Sequence, residues 1–328
     1  MTAKILRPAG GRRTVIAVGM AAALTGILTG CGQPGTSAAS LPATSTPAKA
    51  TTSAAPTTDT GTGTGTGTGS TLHMITNQGH RLAFHVTPGH QPAIVLDAGG
   101  GLDSSYWKKI VPELAEKTGS EIITYDRAGM GDSDPVPGPW KVQDAVSDLE
   151  AGLTALGATR QVILVSHSEA GEIATYATGR HPDRFAGAVL VDAALPQFST
   201  DTEIARVAAA TEAQVQQLKA KDDASLTKAD RQLLAVAANY VPDQRAYHQA
   251  GWPTGVPVNV IVSEQTPFPT SAPDAEAWRD AQNEFAGEAR NRHLVTAAHS
   301  SHDIPVDRPD IVVAQIEAML DATGSAGR

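Results

Sequence analysis

The chain has 328 residues, 41% of them hydrophobic, and a formal net charge of −9 at pH 7. That is enough apolar material for one large core or two small ones, provided the polar stretches lie outside it. An acidic chain without a basic block excludes nucleic acid and anionic lipid headgroups as direct electrostatic partners, and a single cysteine excludes an internal disulfide.

Lys4, Arg7, Arg12 and Arg13 precede the apolar run TVIAVGMAAALTGIL, which is followed by small residues and Cys31. Positive charge, a short apolar run and small residues follow the order of a secretory signal, and the run is too short to span a bilayer comfortably. Leu28-Thr29-Gly30-Cys31 resembles the lipobox of bacterial lipoproteins. The resemblance implies that residues 1–30 are a signal peptide removed before Cys31. It also implies a lipidated Cys31 that holds the chain at the extracytoplasmic face of the cell membrane. Arg12-Arg13 is compatible with a twin-arginine route as well as the general one. Loss of residues 1–30 leaves 21 basic against 34 acidic residues, a charge of −13. Residues 31–70, almost wholly Gly, Ser, Thr, Pro and Ala, cannot bury enough apolar surface to offset chain entropy and are expected to form a disordered tether.

From Thr71 the pattern changes to strands alternating with helical stretches. MITNQGHRLAFHV predicts a hairpin around Gly79. PAIVLDA, EIITYD, QVILVS, AGAVLVD and VPVNVIVS are short, apolar and rich in Val and Ile, as expected where both faces of a parallel sheet are covered. Amphipathic helices are predicted over residues 105–116, 141–156, 170–179, 275–289 and, after RHLVTAA, 309–320. The order predicts an α/β fold, with a mostly parallel central sheet and helices on both faces. Residues 193–255 contain helical runs and no convincing strand, which predicts an inserted helical cap between core segments 71–192 and 256–328.

LVSHSEAG places Ser168 where an apolar strand ends and a helix begins. A tight strand-to-helix turn pushes a serine side chain into the open and needs small neighbours, which is the reason for G-x-S-x-G. Here Ser166 and Ala170 replace the outer glycines, and both are small.

VLDAGGGLDSSYW, TYDRAGMGDSD, LVSHSEAG, AGAVLVDAALP and SHDIPVDRPD occur in the order found in α/β-hydrolases, and residues 71–322 resemble a capped member of that superfamily with a serine nucleophile. The resemblance implies Ser168 as nucleophile, with the N–H groups of Glu169 and Gly100 holding the oxyanion. His302 is the implied base, selected over His299 by aligning the family's Gly-His with Ser301-His302. His167 is expected to be a packed strand-end residue. The acid is where the chain departs from its relatives, because Thr266 stands where an aspartate is often found. Two carboxylates remain. Asp192 ends a fully apolar strand, where haloalkane dehalogenases among the relatives place their acid, and Glu264 lies near the usual position. Asp192 is the preferred reading and Glu264 the alternative. Asp126, Arg127 and Ser133 belong to a loop that is structural in the family.

His299-x-x-His302 with Asp303 has metal-ligand character, but no further ligand cluster accompanies it, so neither a metal nor another cofactor is expected. The reaction implied is cleavage of a carboxylic ester, lactone or thioester in a small molecule, and the Ala, Leu and Val content of the cap suits an apolar group on it. A serine nucleophile disfavours the epoxide hydrolase and dehalogenase branches. A catalytically inactive binding protein, a cofactor-free peroxidase-like enzyme and a carbon–carbon bond hydrolase stay open, as does the oligomeric state.

Overall fold

A computed structural model describes residues 69–325; the expected signal peptide (1–30), Cys31 and all but the last two residues of the expected tether (31–70) lie outside the described residues. Eight strands, among the described residues, form one sheet in the order β1-β2-β4-β3-β5-β6-β7-β8. They are β1 (Thr71–Asn77), β2 (His80–Thr87), β3 (His90–Asp97), β4 (Ser120–Asp126), β5 (Val162–His167), β6 (Phe185–Val191), β7 (Val258–Ser263) and β8 (Arg292–Ala297). Strands β1 and β2 run antiparallel to each other and β2 antiparallel to β4; every other pairing is parallel. The hairpin closes through Gln78 (φ 48°) and Gly79 (φ 89°). Two positive φ values in a two-residue loop match the right-handed twist of the flanking strands.

The central strands are apolar throughout because each face has its own helical layer. Val95, Ile123, Leu164, Leu190 and Val260 point to one side, and Ile94, Ile122, Val165, Val191 and Ile261 to the other. The first side is covered by α2 (Val142–Ala155), α3 (Ala170–Arg180) and Phe285 of α7 (Ala272–Gly287), the second by α1 (Ile110–Thr118) and α9 (Pro309–Ser325). Helix α2 shows how the pattern dictates this: Val142, Ala145, Val146, Leu149 and Leu153 recur at helical spacing and all are buried.

Residues 193–255 carry α4 (Asp201–Lys219), α5 (Lys228–Ala237) and α6 (Tyr240–His248) and, among the described residues, no strand. Thr200 caps α4, and Thr227 with Asp230 forms a capping box on α5. Phe198, Val207 and Val236 from this segment pack with Val262, Phe268 and Trp278 of the core. The short α8 (Ile304–Asp307) precedes α9.

One expected helix differs. In place of a single helix over 105–116, a 3-10 turn (Ser104–Trp107) precedes α1, which begins at Ile110. Asp103 accepts from the N–H of Ser105 at 2.9 Å, and Asp126 accepts from the N–H of Ser104 at 2.8 Å. Asp103 caps the turn locally and Asp126 ties it to the end of β4, so the apolar spacing extends past the true helix start.

Candidate active site

Ser168 immediately follows β5 with φ 55°, a left-handed conformation unusual for a residue with a side chain. Its N–H donates to Val191 O at 3.2 Å, and its carbonyl accepts from Gly171 and Ala194, each at 2.9 Å. The small residues around it have steric reasons. A Cβ at Gly99 would lie 2.8 Å from His167 Nδ1 and 3.0 Å from Ser168 Cβ, and one at Gly171 would run into the Ala194 carbonyl. The tight approach to the Ala194 carbonyl falls on Gly171, one position beyond Ala170, and Ser166 and Ala170 are both fully buried.

The loop between β8 and α8 presents His302, whose Nε2 lies 2.9 Å from Ser168 Oγ and whose Nδ1 lies 2.6 Å from Asp192 Oδ2. A carboxylate facing Nδ1 holds the proton there and leaves Nε2 as an acceptor for the serine hydroxyl. Asp192 directly follows β6 and is wholly buried, with φ 43°. Burial works to raise its pKa, but His302 and the donors Ser263 and Trp278 outweigh burial and hold the carboxyl below its ordinary range. Oδ1 accepts from Ser263 N–H at 3.2 Å and Trp278 Nε1–H at 2.8 Å, and Oδ2 from Ser263 Oγ–H at 2.6 Å.

Glu264 is not brought to this cluster. Its side chain is half exposed, and its Oε2 accepts from the N–H of His299 at 2.6 Å. Thr266 is buried, with its Oγ1 accepting from the Phe268 N–H at 3.2 Å. His299 points into solvent with 90% of its side chain exposed, whereas His302 faces Asp192 and Ser168, so the two do not converge on one point. Among the described residues, the group of side chains close enough to share a metal is His85, Asp126 and Asp132. Asp126 there already accepts from the N–H groups of Ser104 and Asp132.

His167 is fully buried, and its pKa is pushed down to about 3 by burial and by His302, so the ring is neutral at pH 7. Its Nε2 lies 3.0 Å from the carbonyl oxygen of His302 and donates to it, supporting the loop that carries the imidazole.

Glu169 follows Ser168 and Gly100 follows Gly99, where a Cβ would lie 3.0 Å from Ser168 Cβ, and among the described residues neither the Gly100 nor the Glu169 backbone N–H has an acceptor. The neighbouring Gly101 N–H, by contrast, donates to Gln232 Oε1 at 2.7 Å. Gln232, on α5, also donates to Glu169 Oε1 at 3.1 Å. Arg127 bridges the same two segments, donating to Glu169 Oε1 at 3.1 Å and to the Gly99 carbonyl. Burial raises the Asp97 pKa to about 6, Arg127 acting against it. The Arg127 loop is therefore structural in a specific sense: it fixes the two segments that carry the free N–H groups.

Residues 94–315 match the family model described as the alpha/beta hydrolase family. The chain belongs to the alpha/beta hydrolase family. An uncharacterized protein of Bacillus subtilis, YqjL, is 26% identical over 219 residues, covering 67% of this chain and 79% of that protein. Among solved structures, a thermophilic esterase from Thermogutta terrifontis superposes with a TM-score of 0.52 at 20% identity, covering 82% of this chain and 99% of its own. A haloalkane dehalogenase variant from Bradyrhizobium elkanii superposes with a TM-score of 0.56 at 16% identity, covering 79% and 98%. At these identities the structural likeness establishes the fold, and the family's chemistry has to be read from the side chains.

Sequence reasoning missed Ser263, Trp278 and Gln232. Ser263 ends an apolar strand beside the one that leads to Asp192, a recognisable signal. Trp278 and Gln232 arrive from helices 86 residues after Asp192 and 63 residues after Glu169 respectively, and no local pattern marks them.

Proposed function

We propose that this protein is a serine hydrolase that cleaves an ester-like bond, whether carboxylic ester, lactone or thioester, through an acyl-enzyme. The observation that carries the reading is the position of His302, within hydrogen-bond distance of Ser168 Oγ on one side and of the buried Asp192 carboxylate on the other. Ser168 Oγ attacks the carbonyl carbon as its proton passes to His302 Nε2, and Asp192 stabilises the imidazolium that forms. The N–H groups of Gly100 and Glu169 hold the negative oxygen of the tetrahedral intermediate. His302 then returns the proton to the leaving group, and a water molecule repeats the sequence on the acyl-enzyme. An inactive binding protein would have no use for a fully buried carboxylate, which is costly to desolvate unless an imidazole and several donors satisfy it.

The cavity above Ser168 has a volume of about 60 Å³, small against the roughly 300–1,000 Å³ of sites for drug-sized ligands. A compact acyl group is therefore the expected substrate. Across p-nitrophenyl esters, kcat/KM should be highest between acetate and butyrate and fall roughly tenfold or more by octanoate, since overfilling a packed cavity is penalised. A steady rise with chain length would contradict a compact pocket.

We further propose that the chain is held at the membrane through lipidated Cys31. Among the described residues no helix is long and apolar enough to cross a membrane. Replacing Cys31 by serine should therefore move the protein into the soluble fraction. Retention of the variant on membranes after a high-salt wash would overturn the lipobox reading.

A further inference from the structure

Glu172, in the first turn of α3 and four residues after Ser168, lines the same cavity, yet the triad chemistry does not use it. It is 5% exposed. Its Oε1 accepts from Gln244 Nε2–H at 2.7 Å, and Gln244 is itself fixed by Ser199, whose hydroxyl donates to Gln244 Oε1 at 2.7 Å. These two bonds set the orientation of the carboxyl group. Its second oxygen, Oε2, is buried and has no partner among the described residues. An unpartnered buried carboxyl oxygen costs free energy, so a ligand that satisfies it gains correspondingly.

The rest of the wall indicates which ligand. Asp243 adds a second acidic side chain to the lining, and Trp140, Tyr240, Phe268 and Trp278 supply aromatic surface. Among the described residues no lysine, arginine or histidine lines the cavity. Carboxylates and aromatic faces together attract a cation, and a cation also relieves the repulsion among the carboxylates.

Resting on the serine-hydrolase reading, we infer that Glu172 forms a subsite for a protonated amine and that the preferred ester carries an ammonium group close to its scissile carbonyl. Burial, with repulsion from Glu169 and Asp243, pushes the Glu172 pKa up to about 8 when the cavity is empty, and a bound ammonium ionises the carboxyl. Glu172 and Ser168 line one cavity of about 60 Å³. That confinement suits an amine two or three bonds from the reacting carbon better than it suits a long chain.

The test compares two esters of nearly equal shape, ethyl 3-aminopropanoate and ethyl butanoate, which differ by an ammonium in place of a methyl group. With the full chain at neutral pH, the amine ester should have a kcat/KM about tenfold or more above that of its neutral counterpart, the scale of a charge-assisted hydrogen bond. Glu172→Gln should remove most of that ratio. A wild-type ratio at or below one, or an unchanged ratio in a Glu172→Gln variant that melts like the parent, would overturn the inference. If neither ester is turned over, the failure falls on the hydrolase reading. Calorimetric binding of 3-aminopropanamide against butanamide then decides the subsite separately. Tighter binding of the amine that is lost on Glu172→Gln supports it, and equal binding of the two overturns it. Should that variant fail to fold, the wild-type preference in either assay still decides.

Discussion

Ser168→Ala is expected to lower ester hydrolysis by roughly 10³-fold or more, by analogy with other serine triads, while the fold stays intact. The structure gives a reason for both halves of this result. The hydroxyl is the one atom that His302 Nε2 contacts at 2.9 Å, so its removal takes away the attacking group. The elbow itself is held by backbone groups, the N–H on Val191 O and the carbonyl under Gly171 and Ala194, which alanine retains. Alanine also meets the same left-handed φ that serine already occupies, so no new backbone cost arises. Initial rates on a p-nitrophenyl ester, with thermal melts of both proteins, check the two halves together. Retained activity in a clean preparation would remove the nucleophile from the account.

Asp192→Asn should lower kcat by at least two orders of magnitude, whereas Glu264→Gln should stay within a few-fold. Two N–H donors, from Ser263 and Trp278, both point at Oδ1 of Asp192. In the variant they fix the asparagine carbonyl at that position and turn its NH2 toward His302 Nδ1. The imidazole then carries its proton on Nε2, the wrong tautomer for accepting one from Ser168. A comparable substitution in a serine protease costs about 10⁴-fold in kcat. Glu264, by contrast, accepts the surface N–H of His299 at 2.6 Å, whereas the His302 ring nitrogens face Asp192 and Ser168. Steady-state kinetics of the two variants separate the readings, and the opposite ranking would move the acid to Glu264.

The central sheet was legible because its strands carry Val and Ile runs that only a doubly covered sheet requires. Helices α2 and α3 were legible because apolar residues at helical spacing directly follow or precede those strands. The 3-10 entry before α1 was not, since it depends on Asp126 reaching across from the end of β4 to the Ser104 N–H. At the site, the pairing of Ser168 with His302 could be anticipated from short motifs fixed to strand ends. The choice between Asp192 and Glu264 could not be made from spacing, because both follow apolar strands and only the direction of each side chain separates them. Glu172 illustrates the remaining limit. In AGEIATYATG it reads as an ordinary helical glutamate, and its burial becomes visible only once Gln244 of α6 folds over it. What the cap contributes is set by tertiary contact, which periodicity within either partner does not encode.

The most direct test of the central claim is covalent labelling of the full chain with a fluorophosphonate, which reacts with a serine only when a neighbouring base activates it. The expected result is one adduct per chain, mapped by mass spectrometry to the peptide containing Ser168 and absent from Ser168→Ala. A folded protein that takes up no label, or takes it up at another residue, would contradict the account.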